Sequence, residues 1–498
     1  MPQLSRRQVV VLGGVGIAAI TTGVAGLVGQ QRAGTGASRT KWKEPPRMAS
    51  VDGRLDVELT AGQHQAQLAG RDVSVLAYNG LLPGPTLVLQ PGDHVRLRLD
   101  NQLPEPTNLH VHGLHVSPQD NSDNVLISIE PTEAFDYEYQ LPPDHPPGVY
   151  WYHPHHHGTV ADQLFGGLYG AIIVEDPQPI PVTRERIVVI SDITMTGEDD
   201  IARVTPMEQM RGREGNIVLV NGQVHPTLHA QPQDRERWRI INACTSRYVK
   251  LALDEHTWEL LGKDSGRYPK PRVMADVLLP PGQRADVLVT AQAGTAILRA
   301  VTVDRGRLSP TMGGPNASSP GLPPRDVPLA TFAVSGTAAH PMPPVPRQTP
   351  LRDLRAEPIT AKRELVFGMQ MGGMRRSAPS EHPQPQNRHP MMAFTINGQV
   401  FDPQRIDTTV SVGSIEEWVL TNITPMDHPV HVHVWPMQLI HTPDRSIQEP
   451  EWQDVVNIPP QSSITVRVAF DTFVGQTVYH CHILDHEDLG MMGLLEVR

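Results

Sequence analysis

The 498-residue chain has only two cysteines, Cys244 and Cys481, and no run of basic residues long enough to form a stripe. One disulfide is the most that two thiols could make. The histidines flanking Cys481 give that thiol other work, which leaves Cys244 as a lone buried thiol acting as a small hydrophobe. A formal net charge of -11 excludes nucleic acid as a partner, because a phosphate-binding face needs concentrated positive charge. Beyond residue 28 no apolar segment is long enough to span a bilayer. Helical periodicity is also scarce. The strongly periodic stretches run at period two, and 49 prolines with 41 glycines interrupt the chain often. Many short strands joined by turns are expected, so the fold class is all-β. The length exceeds what one hydrophobic core supports and predicts about three domains.

The N-terminus differs in kind. Ser5-Arg6-Arg7 precedes an apolar, Gly- and Ala-rich run from Val9 to Val28, followed by a polar stretch. This pattern predicts a twin-arginine export signal and linker over residues 1–45, with the mature protein exported to a periplasmic, cell-envelope or extracellular location and keeping no membrane span. Val9 stands where the usual pattern prefers Phe. Twin-arginine export carries folded proteins, which suits a cofactor loaded before crossing.

One pattern occurs three times. Tyr78-Asn79-Gly80 leads to a strand over 94–99 that closes at Asn101. Val220-Asn221-Gly222 leads to Trp238-Arg239-Ile240-Ile241-Asn242, and Ile396-Asn397-Gly398 leads to a strand closing at Asn422. The two asparagines lie 22, 21 and 25 positions apart, so one unit is read as copied three times. Units of this size are β-sandwich domains rather than solenoid repeats. Proline-rich joints at 176–179 and 340–358 place the domains at 46–178, 179–340 and 341–498.

Four histidine clusters carry the chemistry: His110-Val111-His112-Gly113; Trp151-Tyr152-His153-Pro154-His155-His156-His157; His428-Pro429-Val430-His431-Val432-His433; and His480-Cys481-His482, with His486 and Met491 beyond. Two lie in the first repeat and two in the third. The middle repeat has none. On a strand, residues i and i+2 share a face, so each His-x-His sends two imidazoles one way. Four pairs give eight imidazoles for one cavity between facing domains. Cys481 then points the opposite way, into its own domain, toward His428 and toward His486 and Met491 on the loop beyond. Two imidazoles, a thiolate and a weak thioether form the ligand set of a blue-copper electron-transfer site. Zinc fits poorly, because its structural sites are closed tetrahedral sets, usually rich in cysteine.

With these motifs the chain resembles the multicopper oxidases, in their three-domain bacterial laccase-like and metallo-oxidase branch. The resemblance implies three consecutive cupredoxin-like Greek-key β-sandwiches holding four coppers. Type 1 copper falls to His428, Cys481, His486 and Met491, and type 2 to His110 and His431. The type 3 pair falls to His112, His153 and His482 on one ion and His155, His433 and His480 on the other. It also implies single electrons passing from an outside reductant through Cys481, His480 and His482 to a three-copper cluster that reduces O2 to water. Glu487 stands where the family places a carboxylate that assists O–O cleavage. Asp123 is the candidate acid beside type 2 copper, with Asp120 competing for that role.

The reductant is less legible. Met369, Met371, Met374, Met391 and Met392 precede the third repeat, and thioethers suit Cu(I). The same methionines also suit gap-filling in a core. Gly372, Gly373, Arg375 and Arg376 argue for a mobile loop. Small aromatics (phenols, aromatic amines) and metal ions, Cu(I) or Fe(II), are therefore all expected substrates, with O2 as acceptor. A copper-free structural cupredoxin-fold protein of the envelope is the alternative of a different class. Copper nitrite reductases have two domains and lack the type 3 pairs.

Overall fold

A computed structural model describes residues 41–197, 199–306, 326–349, 351–371 and 392–498. The export signal read over the first forty residues lies outside them, as do Met374 and Met391. Among the described residues no helix is long and apolar enough to cross a membrane.

Strands build six sheets in three successive pairs, spanning residues 47–174, 184–334 and 361–497. The period-two reading holds where it is clearest. In strand His94–Asn101, Val95, Leu97 and Leu99 enter the core, while Arg96 and Arg98 face out and pair with Glu138 and Asp136. Strand Arg235–Asn242 is buried on both faces instead. Trp238 and Ile240 enter the middle core, and Ile241 joins a cluster shared with Val149 and Trp151 of the first pair and Leu484 of the third. The middle pair is thereby packed against both neighbours.

The threefold repeat has a physical cause in its asparagines. Asn79, Asn221 and Asn397 all take the left-handed conformation, with φ of 53°, 50° and 53°, which asparagine tolerates better than most residues. Each then uses its side-chain oxygen to accept from a strand N–H, that of Thr60, Val189 or Val366. The closing asparagines act alike. Asn101, Asn242 and Asn422 accept from the N–H two residues on and donate to the carbonyls of Ile129, Leu279 and Ile458. In each repeat the strand ending at the second asparagine runs parallel to an earlier one: 54–61 with 94–101, 184–190 with 236–242, and 361–367 with 416–422.

The structure corrects two loop expectations. His486 and Glu487 sit on a short helix, Leu484–Asp488, rather than on open loop. Met369 and Met371 belong to strand Ala361–Met371, paired with strand Met392–Ile396, and Met392 is buried in that pairing. The glycines and arginines after 371, read as a mobile loop, lie outside the described residues; the alternating run before them forms the strand.

Candidate metal centre

Two adjacent strands of the third sheet pair build the first donor set. Strand His428–Val432 pairs antiparallel with strand Gly475–Cys481, placing Val430 opposite Cys481 and His431 opposite His480. Parity does the rest. His428 shares a face with Val430 and points into the core with Cys481, while His431 and His433 point out of it. His428 Nδ1 lies 3.3 Å from Cys481 Sγ and His486 Nδ1 lies 3.9 Å from it. Thr424 Oγ1, 2.9 Å from His428 Nε2, occupies the other ring nitrogen and leaves Nδ1 facing the sulfur. Met491 is fully buried in the same core, and its backbone is fastened at both ends: its carbonyl accepts from Cys481 N, and its N–H donates to His486 O. Burial pushes the Cys481 thiol up and holds His428 down near 3.

Outside that core, histidines from the first and third sheet pairs converge. His110 stacks on His433 with ring centroids 3.9 Å apart, and His112 stacks on His431 at 3.8 Å. The Nε2 atoms of His155 and His433 each lie 3.1 Å from His480 Nε2. Donor atoms within 4.8 Å of one another form the sets His110–His431–His433, His110–His112–His153, His155–His433–His480 and His112–His431–Asp454, besides His428–Cys481–His486. His482 joins the cage through its ring, 4.9 Å from that of His112.

Burial favours the neutral form of His110, His112, His431, His433 and His482, and holds His153 near 3 and His155 near 4. His110 Nε2, His431 Nε2, His433 Nδ1 and both nitrogens of His482 are buried without a hydrogen-bond partner. An unsatisfied buried polar atom costs about 1–3 kcal/mol, and a metal taking up the lone pairs would satisfy this concentration of them. Neutral imidazoles beside one buried thiol match copper as a donor set.

Two carboxylates flank the cage. Asp123, wholly buried, has its two oxygens 2.9 and 3.0 Å from His110 Nδ1, and burial raises it to about 7 despite a hydrogen bond from Val111 N. Asp120, its competitor, is exposed. Glu487 is fully buried, 3.0 Å from His480 Nδ1 and 3.7 Å from His155 Nδ1. Burial favours its neutral acid, but those two rings outweigh it and hold the carboxylate down at about 2.

Sequence reasoning missed two features. Asp454 lies 3.1 Å from His112 Nε2, and its carbonyl lies 2.7 Å from His431 Nδ1. No spacing in the sequence connects residues so far apart. The second feature covers the outer edge of His486. Phe394 stacks on its ring at 3.9 Å, and Met210 O, from the short helix Pro206–Arg211, lies 3.3 Å from its Nε2. His156 and His157 stay outside the cage: His156 Nε2 lies 3.2 Å from Ser128 Oγ, and His157 is exposed against Phe401.

Sequence profiles described as multicopper oxidase match residues 60–179, 184–307 and 360–498. A multicopper oxidase of Staphylococcus epidermidis is 27% identical over 440 residues, spanning 85% of this chain and 84% of that protein. A Bacillus subtilis laccase is 25% identical, spanning 91% and 96%. The solved structure of a Campylobacter jejuni multicopper oxidase, described as a metallo-oxidase, superposes with a TM-score of 0.78 at 29% identity, covering 92% of this chain and 96% of that one.

Proposed function

This chain belongs to the multicopper oxidase family, whose members are copper-dependent oxidoreductases, and on that premise we propose how its residues divide the work. Type 1 copper is assigned to His428, Cys481, His486 and Met491. Type 2 is assigned to His110 and His431, and the type 3 pair to His112, His153 and His482 with His155, His433 and His480. We assign the three cupredoxin-like domains to 46–178, 179–340 and 341–498. Copper bound in these sets supplies one-electron exchange with the reductant and the four-electron reduction of O2 to water.

The observation that carries the reading is the placement of Cys481 between two cage histidines. Its sulfur faces His428 and His486, while His480 and His482 on either side face the other donor set. One tripeptide therefore joins both donor sets by covalent bonds alone. Glu487 Oε2 is positioned to exchange a proton with the His480 edge of the cage, and Asp123 to hold His110 in one tautomer. A copper-free structural role leaves the unpartnered buried nitrogens unexplained.

The reductant delivers electrons at the covered edge of His486. With the imidazole fully buried, contact falls on the segment around Met210 rather than on the ring. Met392 is buried, so the Cu(I) role proposed for the methionine cluster is tested at Met369, Met371, Met374 and Met391. Oxygen uptake by copper-loaded protein with Cu(I), Fe(II) or a phenol tests the assignment; no uptake with any of them refutes it. Met→Leu at those four positions separates the substrates, because a metal role predicts loss of Cu(I) oxidation with phenol oxidation kept. Export by the twin-arginine route is part of the reading, and R6K/R7K is expected to retain the protein in the cytoplasm.

A further inference from the structure

Among the described residues the middle sheet pair supplies none to either donor set, yet one of its turns reaches the cage. The turn at 280–283 joins strand Val277–Leu279 to strand Arg284–Thr290, and three consecutive residues there each meet a different neighbour. Gly282, at φ +83°, lies so close to the His482 ring that a Cβ would stand 2.7 Å from its Nε2. Gln283 Nε2 donates to Gln453 Oε1 at 3.1 Å and to Val455 O at 3.0 Å. Arg284, with no exposed side-chain surface, donates through Nη1 and Nη2 to the two oxygens of Asp454, at 2.5 and 2.7 Å. Its Nε donates to Val149 O of the first pair at 2.9 Å, and Nη1 also reaches Asp264 Oδ1 at 3.2 Å. Asp264 in turn accepts from the backbone N–H groups of Asp454 and Val455.

Asp454 is the residue whose carboxylate lies 3.1 Å from His112 Nε2 and whose carbonyl lies 2.7 Å from His431 Nδ1. Its carboxylate takes up Nε2 of His112 and its main-chain carbonyl Nδ1 of His431, which leaves the other nitrogen of each ring for metal. The fit is tight enough to explain the glycine after His112: at Gly113, φ +85°, a Cβ would run into Arg284 Nη2 and fall 2.6 Å from Asp454 Oδ2.

We propose that Arg284 is a positioning residue for the three-copper site, acting through Asp454 to fix His112 and His431 while fastening the first and third sheet pairs to the middle one. The two-pronged contact is what a guanidinium provides and an ammonium does not. Outer partners of metal-ligating histidines typically contribute about 10–100-fold in metal affinity.

The proposal rests on the copper assignment above, so wild-type protein is characterised first. A wild type lacking the blue absorption and the type 2 electron paramagnetic resonance signal refutes that assignment, not this one. Arg284→Met is then loaded with copper, and stoichiometry, blue absorption and the type 2 signal are measured. The expected result is an unchanged blue band, since the Cys481 set lies wholly within the third pair, with copper at the three-metal site bound about 10–100-fold more weakly and the type 2 signal lost or altered. Arg284→Lys keeps the buried charge and provides a folded comparison if the Met variant does not fold; it is expected to show the same split, less severely. Either folded variant holding all its copper at wild-type affinity with an unaltered type 2 signal overturns the proposal. Loss of the blue band in parallel with the type 2 signal also overturns it, because that is general structural damage.

Discussion

Arg213→Met is expected to destabilise the copper-free protein by about 3 kcal/mol at pH 7.5 and by less at pH 5.5. Arg213 and Asp485 are 6% and 1% exposed, and the guanidinium meets Asp485 Oδ1 through Nη2 at 2.7 Å and through Nε at 3.0 Å. Removing one partner of a buried pair costs about 3–5 kcal/mol. The backbone N–H of residue 213 still donates to Asp485 Oδ2 at 2.7 Å, which places the loss at the low end. Burial already raises Asp485 against the pull of Arg213, and without Arg213 the carboxyl rises further. Protonating it costs about 1.4 kcal/mol for each pH unit above its unfolded value near 3.9. That route costs about 5 kcal/mol at pH 7.5 and about 2 at pH 5.5, so protonation offsets more of the loss as pH falls. An acid whose folded pKa is raised binds more protons folded than unfolded, so the deficit shrinks as pH falls. Thermal unfolding of apoprotein is the assay, and about 3 kcal/mol lowers the Tm of a unit of 150–250 residues by about 6–12 °C. A deficit below about 1 kcal/mol, or one that grows on acidification, refutes the reasoning. The consequence extends to the metal site, because Asp485 precedes His486 on one helix while Arg213 follows the helix that covers it.

Cys481→Ser is expected to abolish the blue absorption and turnover while the other coppers stay largely bound; turnover at the wild-type rate refutes the type 1 assignment. Glu487→Gln is expected to lower kcat about 10²–10⁴-fold with the blue band intact if the carboxylate moves a proton, and steady-state O2 consumption with stopped-flow reoxidation reads this directly. Copper-free protein is expected to lose stability as pH falls below about 6.5, because burial holds His153 near 3, His155 near 4 and His428 near 3. The unfolded chain takes up protons that those rings refuse, so stability falls with pH. Circular dichroism of apo and copper-loaded protein from pH 7 to 4 checks it, with the loaded form expected to resist.

Much of the site is legible because strand periodicity is rigid. His-x-His fixes two imidazoles on one face, and the same rule turns Cys481 away from them, whatever the rest of the fold does. The Asn-Gly repeats are legible for a similar reason, since a left-handed residue before a glycine has few alternatives. What escaped depends on distance in space. Arg284 and Asp454 are 170 positions apart, and nothing local marks either as a partner of His112. His486 looked like a loop residue because a five-residue helix carries too little pattern to declare itself. Met369 and Met371 were hidden by the glycines that follow them, although the strand had already begun at Ala361.

The two donor sets also differ in when they can come into being. His428, Cys481, His486 and Met491 all belong to the last sheet pair and meet over at most 63 positions of chain. The larger cage needs His110 to meet His433, 323 positions away, so its closure waits for the whole chain. Contacts of long sequence separation form late, because loop-closure entropy must be overcome first. The single-metal set therefore draws all four of its donors from one sandwich, whereas the shared cage needs contacts across almost the whole chain.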